Sequence, residues 1–291
     1  MQFRKECSNM IRDTIADQLI YSTVRIICRN ASSVSYGTGF FMRQDFPNGD
    51  NINAIVTNNH VVRGYDRAEI TLAGVHSDGT PDDLNHVTIS ISDLPHKIVS
   101  HPDQNIDICL LFVNTEIEES KASGKPVYYR AIGTGMTLLP EDFNSLTSIE
   151  DVIMIGYPNG IIDTYNNKPV VRKGITATSL KLDYDGTPDF MIDISCFFGS
   201  SGSPVFLRKE GLAKETSDKG LTLGLTPSYS LLGIIHSMSI AKADGNIVQK
   251  DIPTSLKSVV ETNIPLNLGY VTKAKKILEI FDIVKGTKKE N

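Results

Sequence analysis

The sequence predicts an all-β fold: two six-stranded antiparallel β-barrels with a short helix at either end. Three observations predict it. From Ser22 to Tyr270 the chain is a succession of short β-branched and aromatic runs, separated by Gly, Pro and Asn turn signals, which is the pattern of sandwiches and barrels. Apolar residues recur at helical spacing only near the two ends. The 291 residues are 40% hydrophobic and 22% charged, enough apolar content for a buried core and enough length for two barrels around a cleft or one large domain.

Residues 7 to 20 set Met10, Ile11, Ile15, Leu19 and Ile20 at helical spacing, so 1–21 reads as an N-terminal helix. The first barrel is expected over 22–135. Thr23–Cys28 is β-branched, Gly37–Met42 resumes as a strand, and Asn48-Gly49 turns the chain into Ile52–Thr57, which ends near His60. Strands at Ala68–Leu72, Val87–Ile91, Lys97–Ser100 and Ile108–Val113 complete it. Asn114–Glu150, broken at Pro126 and Pro140, reads as the crossover between barrels. The second barrel is expected over 136–270, with strands at Val152–Ile155, Val170–Val171, Gly174–Thr178, Phe190–Ile194, Pro204–Phe206 and Leu231–Ile235. The remainder, 271–291, holds Ala274, Ile277, Leu278, Phe281 and Ile283 at helical spacing, followed by a charged tail.

Three segments carry chemistry: Thr57-Asn58-Asn59-His60-Val61-Val62, Asn105-Ile106-Asp107-Ile108, and Gly199-Ser200-Ser201-Gly202-Ser203-Pro204. A serine hydroxyl becomes nucleophilic only when a base takes its proton and a third group orients that base. His60 follows an apolar strand, where it can face a cleft as general base. Asp107 precedes the apolar run Ile108–Val113 and is placed to fix the histidine tautomer. Asp103 is its rival but sits in a Pro-Asp-Gln-Asn turn. Ser201 is the candidate nucleophile, and the amides of Gly199 and Ser201 are the candidate oxyanion hole. A nucleophile elbow of the form Gly-x-Ser-x-Gly does not fit, because Ser203 stands two residues after Ser201. The bland readings are one histidine among six, a surface carboxylate and a Gly/Ser-rich loop. The three together, with 47 residues between His60 and Asp107 and 94 between Asp107 and Ser201, outweigh them.

These segments resemble the trypsin-like peptidase superfamily, and within it the bacterial HtrA peptidase domain. Gly37-Thr38-Gly39-Phe40, Gly156-Tyr157-Pro158, Gly174-Ile175-Thr176-Ala177 and Asp193, eight residues before Ser201, match it as well. The resemblance covers roughly Thr23 to Tyr270. It implies the chymotrypsin-like double barrel and peptide-bond hydrolysis through an acyl-enzyme, with His60, Asp107 and Ser201 as the triad. The chain departs from the family in two places. Secreted zymogens pair a new N-terminus with an aspartate just before the nucleophile, where this chain has Ser200, so activation by N-terminal cleavage is not expected. Only about one helix follows Tyr270, so no PDZ domain is expected either.

By the same resemblance the base of the S1 pocket falls near Ser195, with Gly233 to Ser239, His236 and Ser237 among them, forming a wall. Ser195 is uncharged and Phe197 and Phe198 are apolar, which implies an uncharged, small-to-medium apolar P1 residue. His236 reads either as a contact to an acidic or amide side chain, as in some relatives, or as a structural histidine, with the second preferred.

The remaining expectations concern setting and partners. Cys7, Cys28, Cys109 and Cys196 have spacings of 21, 81 and 87, which is neither CxxC nor a metal-ligand pattern. Val61 stands where secreted relatives place a disulfide cysteine, so a reducing, cytoplasmic setting is expected. The N-terminus has no apolar h-region and no run reaches membrane-spanning length. Net charge is −5 and no basic block is present, so nucleic acid is not an expected partner. No metal or organic cofactor is called for. The expected partner is a polypeptide substrate. The rival readings are a peptidase held latent until an activating partner protein orders its oxyanion loop, and a pseudo-peptidase that binds peptides without cleaving them.

Overall fold

Thr14 opens the first element with a capping box: its hydroxyl accepts the Asp17 N–H at 3.2 Å, and the Asp17 carboxylate accepts the Thr14 N–H at 3.3 Å. In the computed structural model, which describes residues 14–217, 220–246 and 259–289, this helix, α1, spans Ile15–Ser22. The cap at Thr14 divides the helix expected over 7–20. Its earlier part, with Cys7, Met10 and Ile11, lies outside the described residues.

The first sheet follows. Its strands are β1 (Thr23–Arg29), β2 (Val34–Asp45), β3 (Asn51–Thr57), β4 (Arg67–Val75), β5 (Pro81–Ile91), β6 (Ile98–Ser100) and β7 (Cys109–Leu111), hydrogen-bonded in the order β5-β4-β1-β2-β3-β7-β6. It is barrel-like and packs Ile26, Phe41, Ile55, Ile70, Ile91 and Leu111 inside. One turn of helix, α2 (Asn59–Val62), follows β3 and carries His60.

The segment expected to be a plain crossover contains α3 (Asn114–Ala122), β8 (Val127–Tyr128) and β9 (Ile132–Gly133). β8 pairs with β4 and β9 with β2, so this sheet has nine strands rather than six. The helix was hidden in the sequence because Ile117 is its one buried side chain, which gives almost no amphipathic pattern to read.

The second sheet closes into a six-stranded barrel, β10-β11-β12-β15-β14-β13. Its strands are β10 (Asp151–Gly156), β11 (Val170–Thr176), β12 (Asp189–Asp193), β13 (Pro204–Ser217), β14 (Gly220–Asn246) and β15 (Val259–Lys273). Two of its hairpins outgrow the barrel: β13 and β14 stay paired out to Ser217↔Gly220, and β14 and β15 out to Asn246↔Val259. Val152, Met154, Phe190, Ile192, Val205 and Leu232 fill the interior.

The last helix, α4 (Lys275–Lys289), buries Ile277, Ile280 and Phe281. These join a third core in which Phe40, Val56 and Leu110 of the first sheet meet Ile155, Phe206 and Ile234 of the second. The two barrels are therefore joined by a core as dry as their own interiors. The cleft between them has rigid walls. No helix among the described residues is long and apolar enough to cross a membrane.

Candidate active site

His60 owes its place to the two asparagines before it. Asn58 caps α2 without using its side chain on the helix. Instead its Nδ2 donates to the Asp107 carbonyl at 2.6 Å, and Asn59 Nδ2 donates to the Ile108 carbonyl at 3.2 Å. These bonds pin the backbone of the Asp107 loop against the helix. The His60 N–H donates to Asp107 Oδ1 at 3.1 Å, and its Nδ1 is hydrogen-bonded to Oδ2. A carboxylate that accepts at Nδ1 leaves Nε2 with the free lone pair, the tautomer a general base requires. Asp103 closes its own turn instead, accepting from Asn105 N and Nδ2 at 2.9 and 3.0 Å.

Ser201 lies in the tight loop between β12 and β13. Two glycines make the loop possible. Gly202 has φ +87°, and a Cβ there would sit 1.8 Å from the Thr38 carbonyl oxygen. Gly199 has φ +81°, and a Cβ there would sit 2.7 Å from the Tyr157 carbonyl oxygen. The loop closes on itself through Ser200 N–H to Phe197 O and Ser203 N–H to Ser200 O, both at 3.0 Å, and Gly202 N–H reaches Ile235 O at 2.9 Å. The Gly199 and Ser201 amides, the two sequence-predicted oxyanion donors, have no acceptor among the described residues.

Thr38 ties this loop to the first sheet. It is fully buried. Its N–H donates to the Ser201 carbonyl at 2.9 Å, and its hydroxyl donates to the Gly199 carbonyl at 3.0 Å while accepting the Tyr157 N–H at 3.1 Å. The sequence marked Thr38 only as part of a Gly-Thr-Gly segment, with no signal that its hydroxyl touches the nucleophile loop.

His60, Gly199 and Ser201 line one cavity of about 440 Å³ together with Phe197, His236 and Ser237. Two cavities of similar size lie elsewhere and include neither Ser201 nor His60. Ile235, Met238 and Ile240 make the wall of the site apolar. Ser195 is not on this lining, and its carbonyl accepts from Arg172 at 2.7 Å. The His236 ring is held by Asp189, Nε2 to Oδ2 at 3.2 Å, and Asp189 also accepts from Thr272 at 2.8 Å and Thr187 at 3.2 Å. Burial pushes the Asp189 carboxyl up, but His236 and the two threonines outweigh it and hold the group below the usual carboxylate range. The Ser201 hydroxyl points to the His236 carbonyl at 3.5 Å and makes no hydrogen bond with His60. The structure thus joins His60 to Asp107 and brings Ser201 to the same cavity.

The cavity is lined by Tyr36 and His60 from the first-barrel part of the chain and by the glycine-framed Ser201 loop from the second. The profile of the trypsin-like peptidase domain matches residues 37–212, more than half of the chain, and this stretch contains His60, Asp107 and Ser201. The chain belongs to this family, whose substrates are polypeptides. No curated protein sequence matches it.

Several solved structures are similar to it. The inactive form of Rv3671c from M. tuberculosis H37Rv is 15% identical, over 93% of this chain and 90% of that one, with a TM-score of 0.45. The HtrA-type protease AlgW with tripeptide is 16% identical, over 92% of this chain and 61% of that one, with a TM-score of 0.44. A serine endoprotease from Yersinia pestis is 15% identical, over 92% of this chain and 64% of that one, with a TM-score of 0.43.

Proposed function

We propose that the chain is a serine endopeptidase in which Ser201 attacks, His60 moves the proton, Asp107 fixes His60, and the Gly199 and Ser201 amides hold the oxyanion. The observation that carries this reading is that His60, hydrogen-bonded to Asp107, lines the same cavity as Ser201. Ser201 Oγ forms a bond to the scissile carbonyl carbon as its proton passes to His60 Nε2. The carbonyl oxygen gathers the charge, which the two free amides receive. Collapse breaks the C–N bond, and His60 returns the proton to the departing amine. Water then enters by the same base and releases the acyl group. Attack requires the Ser201 hydroxyl to leave the His236 carbonyl by turning about χ1. Catalytic hydrogen bonds of this kind commonly tighten only when substrate is bound.

Phe197, His236 and Ser237 would contact the P1 side chain, and the apolar wall supports an uncharged, small-to-medium apolar residue there. Three buried free thiols, Cys28, Cys109 and Cys196, are in keeping with a reducing, cytoplasmic setting.

Labelling with a fluorophosphonate probe, which reacts only with an activated serine, tests the reading. The native chain should label, and Ser201→Ala and His60→Ala should not. Asp107→Asn should label about 10⁴-fold more slowly, the cost of the wrong tautomer. A folded native chain that stays unlabelled, alone and after addition of cell lysate, would overturn the proposal in favour of a peptide-binding role. Labelling only with lysate would identify a latent peptidase that needs a partner.

A further inference from the structure

Ser200, the residue before the proposed nucleophile, is 2% exposed, and a side chain from another strand holds it. Arg172 lies on β11, opposite Met154 of β10. Its Nη1 donates to Ser200 Oγ at 2.9 Å and to the Ser195 carbonyl at 2.7 Å. Ser200 Oγ also accepts the Phe197 N–H at 3.4 Å. One guanidinium nitrogen therefore clasps the first and last residues of the turn that leads into Ser201. The Gly199 amide lies inside that clasp and the Ser201 amide follows directly after it.

The rest of the guanidinium is left bare. Arg172 Nε and Nη2 are closed off from solvent and have no partner among the described residues. Burial lowers the Arg172 value, and among the described residues no carboxylate forms an ion pair with it; the neighbouring Cys196 thiol is itself pushed up by burial to about 11. Closing off two guanidinium nitrogens with no partner among the described residues is unfavourable for folding, and replacing buried ionic groups by apolar residues of similar volume is often neutral or stabilising. The arrangement makes sense if the hydrogen bonds to the loop are what the arginine provides.

We infer that Arg172 is a positioning residue that orders the nucleophile loop from within the folded chain. The inference rests on the peptidase reading for its catalytic consequence, though not for its structural one. Ser200 cannot form an ion pair with a new N-terminus. Arg172 instead supplies a cation that is part of the barrel, with charge-assisted hydrogen bonds to two neutral oxygens. On this account the orientation of the Gly199 and Ser201 amides is set at folding and needs no cleavage.

Three variants test it: Arg172→Met, Arg172→Lys and Ser200→Ala. Three readouts apply to each: fluorophosphonate labelling rate, melting temperature, and hydrogen exchange of the amides in 195–203. Arg172→Met should slow labelling about ten- to a hundredfold, the range expected when a hydrogen bond from a charged group is lost. It should speed exchange in 195–203 alone, and it should melt at or above the native temperature. Arg172→Lys, which keeps the charge without the fork, should recover part of the labelling. Ser200→Ala combined with Arg172→Met should cost less than the sum of the two, because both remove the same contact.

The inference is overturned if Arg172→Met labels and exchanges like the native chain. It is equally overturned if that variant melts several degrees lower with exchange raised throughout, which would mark a structural role only. A folded native chain that never labels would sink the peptidase reading instead, and the exchange of 195–203 in Arg172→Met would still decide the role of the arginine.

Discussion

Replacing Thr38 with valine removes one hydroxyl and leaves the side-chain shape unchanged. Among the described residues that hydroxyl is the one partner of two backbone groups, the half-buried Gly199 carbonyl at 3.0 Å and the buried Tyr157 N–H at 3.1 Å. An unpaired buried polar group costs about 1–3 kcal/mol, so Thr38→Val should lose about 2–6 kcal/mol if the loop stays in place. For a chain of this length each kcal/mol corresponds to roughly 1.5–2 °C in melting temperature, which puts the drop at about 3–12 °C. The loop has an alternative to bearing this cost. The backbone can shift at Gly199 so that its carbonyl reaches solvent, and because such a shift also moves the N–H of Gly199, one of the proposed oxyanion donors, labelling should then fall by about 10²-fold, the lower end for losing one donor. Thr38→Ser keeps the hydroxyl and loses only a methyl group, so its labelling should stay within about threefold of native at a stability cost near 1 kcal/mol. Melting curves and fluorophosphonate labelling rates of the two variants, measured side by side, make the comparison. If valine and serine labelled alike, the hydroxyl would not be what sets the oxyanion loop.

Other perturbations have equally direct outcomes. Gly202→Ala sets a Cβ 1.8 Å from the Thr38 carbonyl at φ +87°, whereas Gly49→Ala meets nothing within 4 Å at φ +88°. The first should abolish soluble expression, and the second should cost only the backbone term of about 1 kcal/mol; similar melting temperatures for both would refute the packing argument. Burial pushes the Cys28 thiol up to about 12 and the Cys196 thiol to about 11, and raises Cys109 further. In a Cys7→Ser background, Ellman's reagent at pH 8 should therefore find no reactive thiol in the native chain and three after denaturation. Asp189 is held below its unfolded value of about 3.9, so its stabilisation is complete above that pH and is lost as pH falls through the folded value. The melting-temperature gap between the native chain and Asp189→Asn should stay constant from pH 8 to about 5 and close below about pH 4. A gap undiminished at pH 2.5 would show that the carboxylate charge is not its source.

The double-barrel plan was legible because β-branched runs broken by turn residues leave few other ways to bury so much apolar surface. His60, Asp107 and Ser201 stood out by chain order and by their immediate neighbours: asparagines before the histidine, an apolar strand after the aspartate, glycines around the serine. What the sequence hid was every contact that depends on register. Arg172 sits in a strand with Lys173 beside it and reads as surface charge; only the β10–β11 pairing and the closed barrel turn its guanidinium toward Ser200. The Thr38 hydroxyl is likewise silent, since its three loop partners lie 119 or more residues away in sequence. Counting back from Ser201 placed Ser195 near the pocket, but the carbonyl of that residue belongs to the Arg172 clasp, and Met238 and Ile240 from β14 form the wall. The helix α3 escaped for a different reason: a single buried side chain gives no period.

The placement of Thr38 bears on how two barrels can act as one catalyst. His60 follows a strand of the first sheet and Ser201 precedes one of the second, so any relative motion of the barrels threatens to separate the proposed base from the proposed nucleophile. The chain between them is short. Thr57, three residues before His60, donates its hydroxyl to the Thr38 carbonyl at 2.8 Å, and the Thr38 N–H donates to the Ser201 carbonyl at 2.9 Å. Ser201, the proposed nucleophile, is thus hydrogen-bonded to the strand next to the one that delivers the histidine, and it follows the first barrel as well as its own. Arg172, on β11 of the second barrel, holds the same loop through Ser200. A loop held from one side only would tilt with that barrel. Tethering it from both confines Ser201 to positions compatible with each, which is the preorganisation that makes charge stabilisation at a transition state effective.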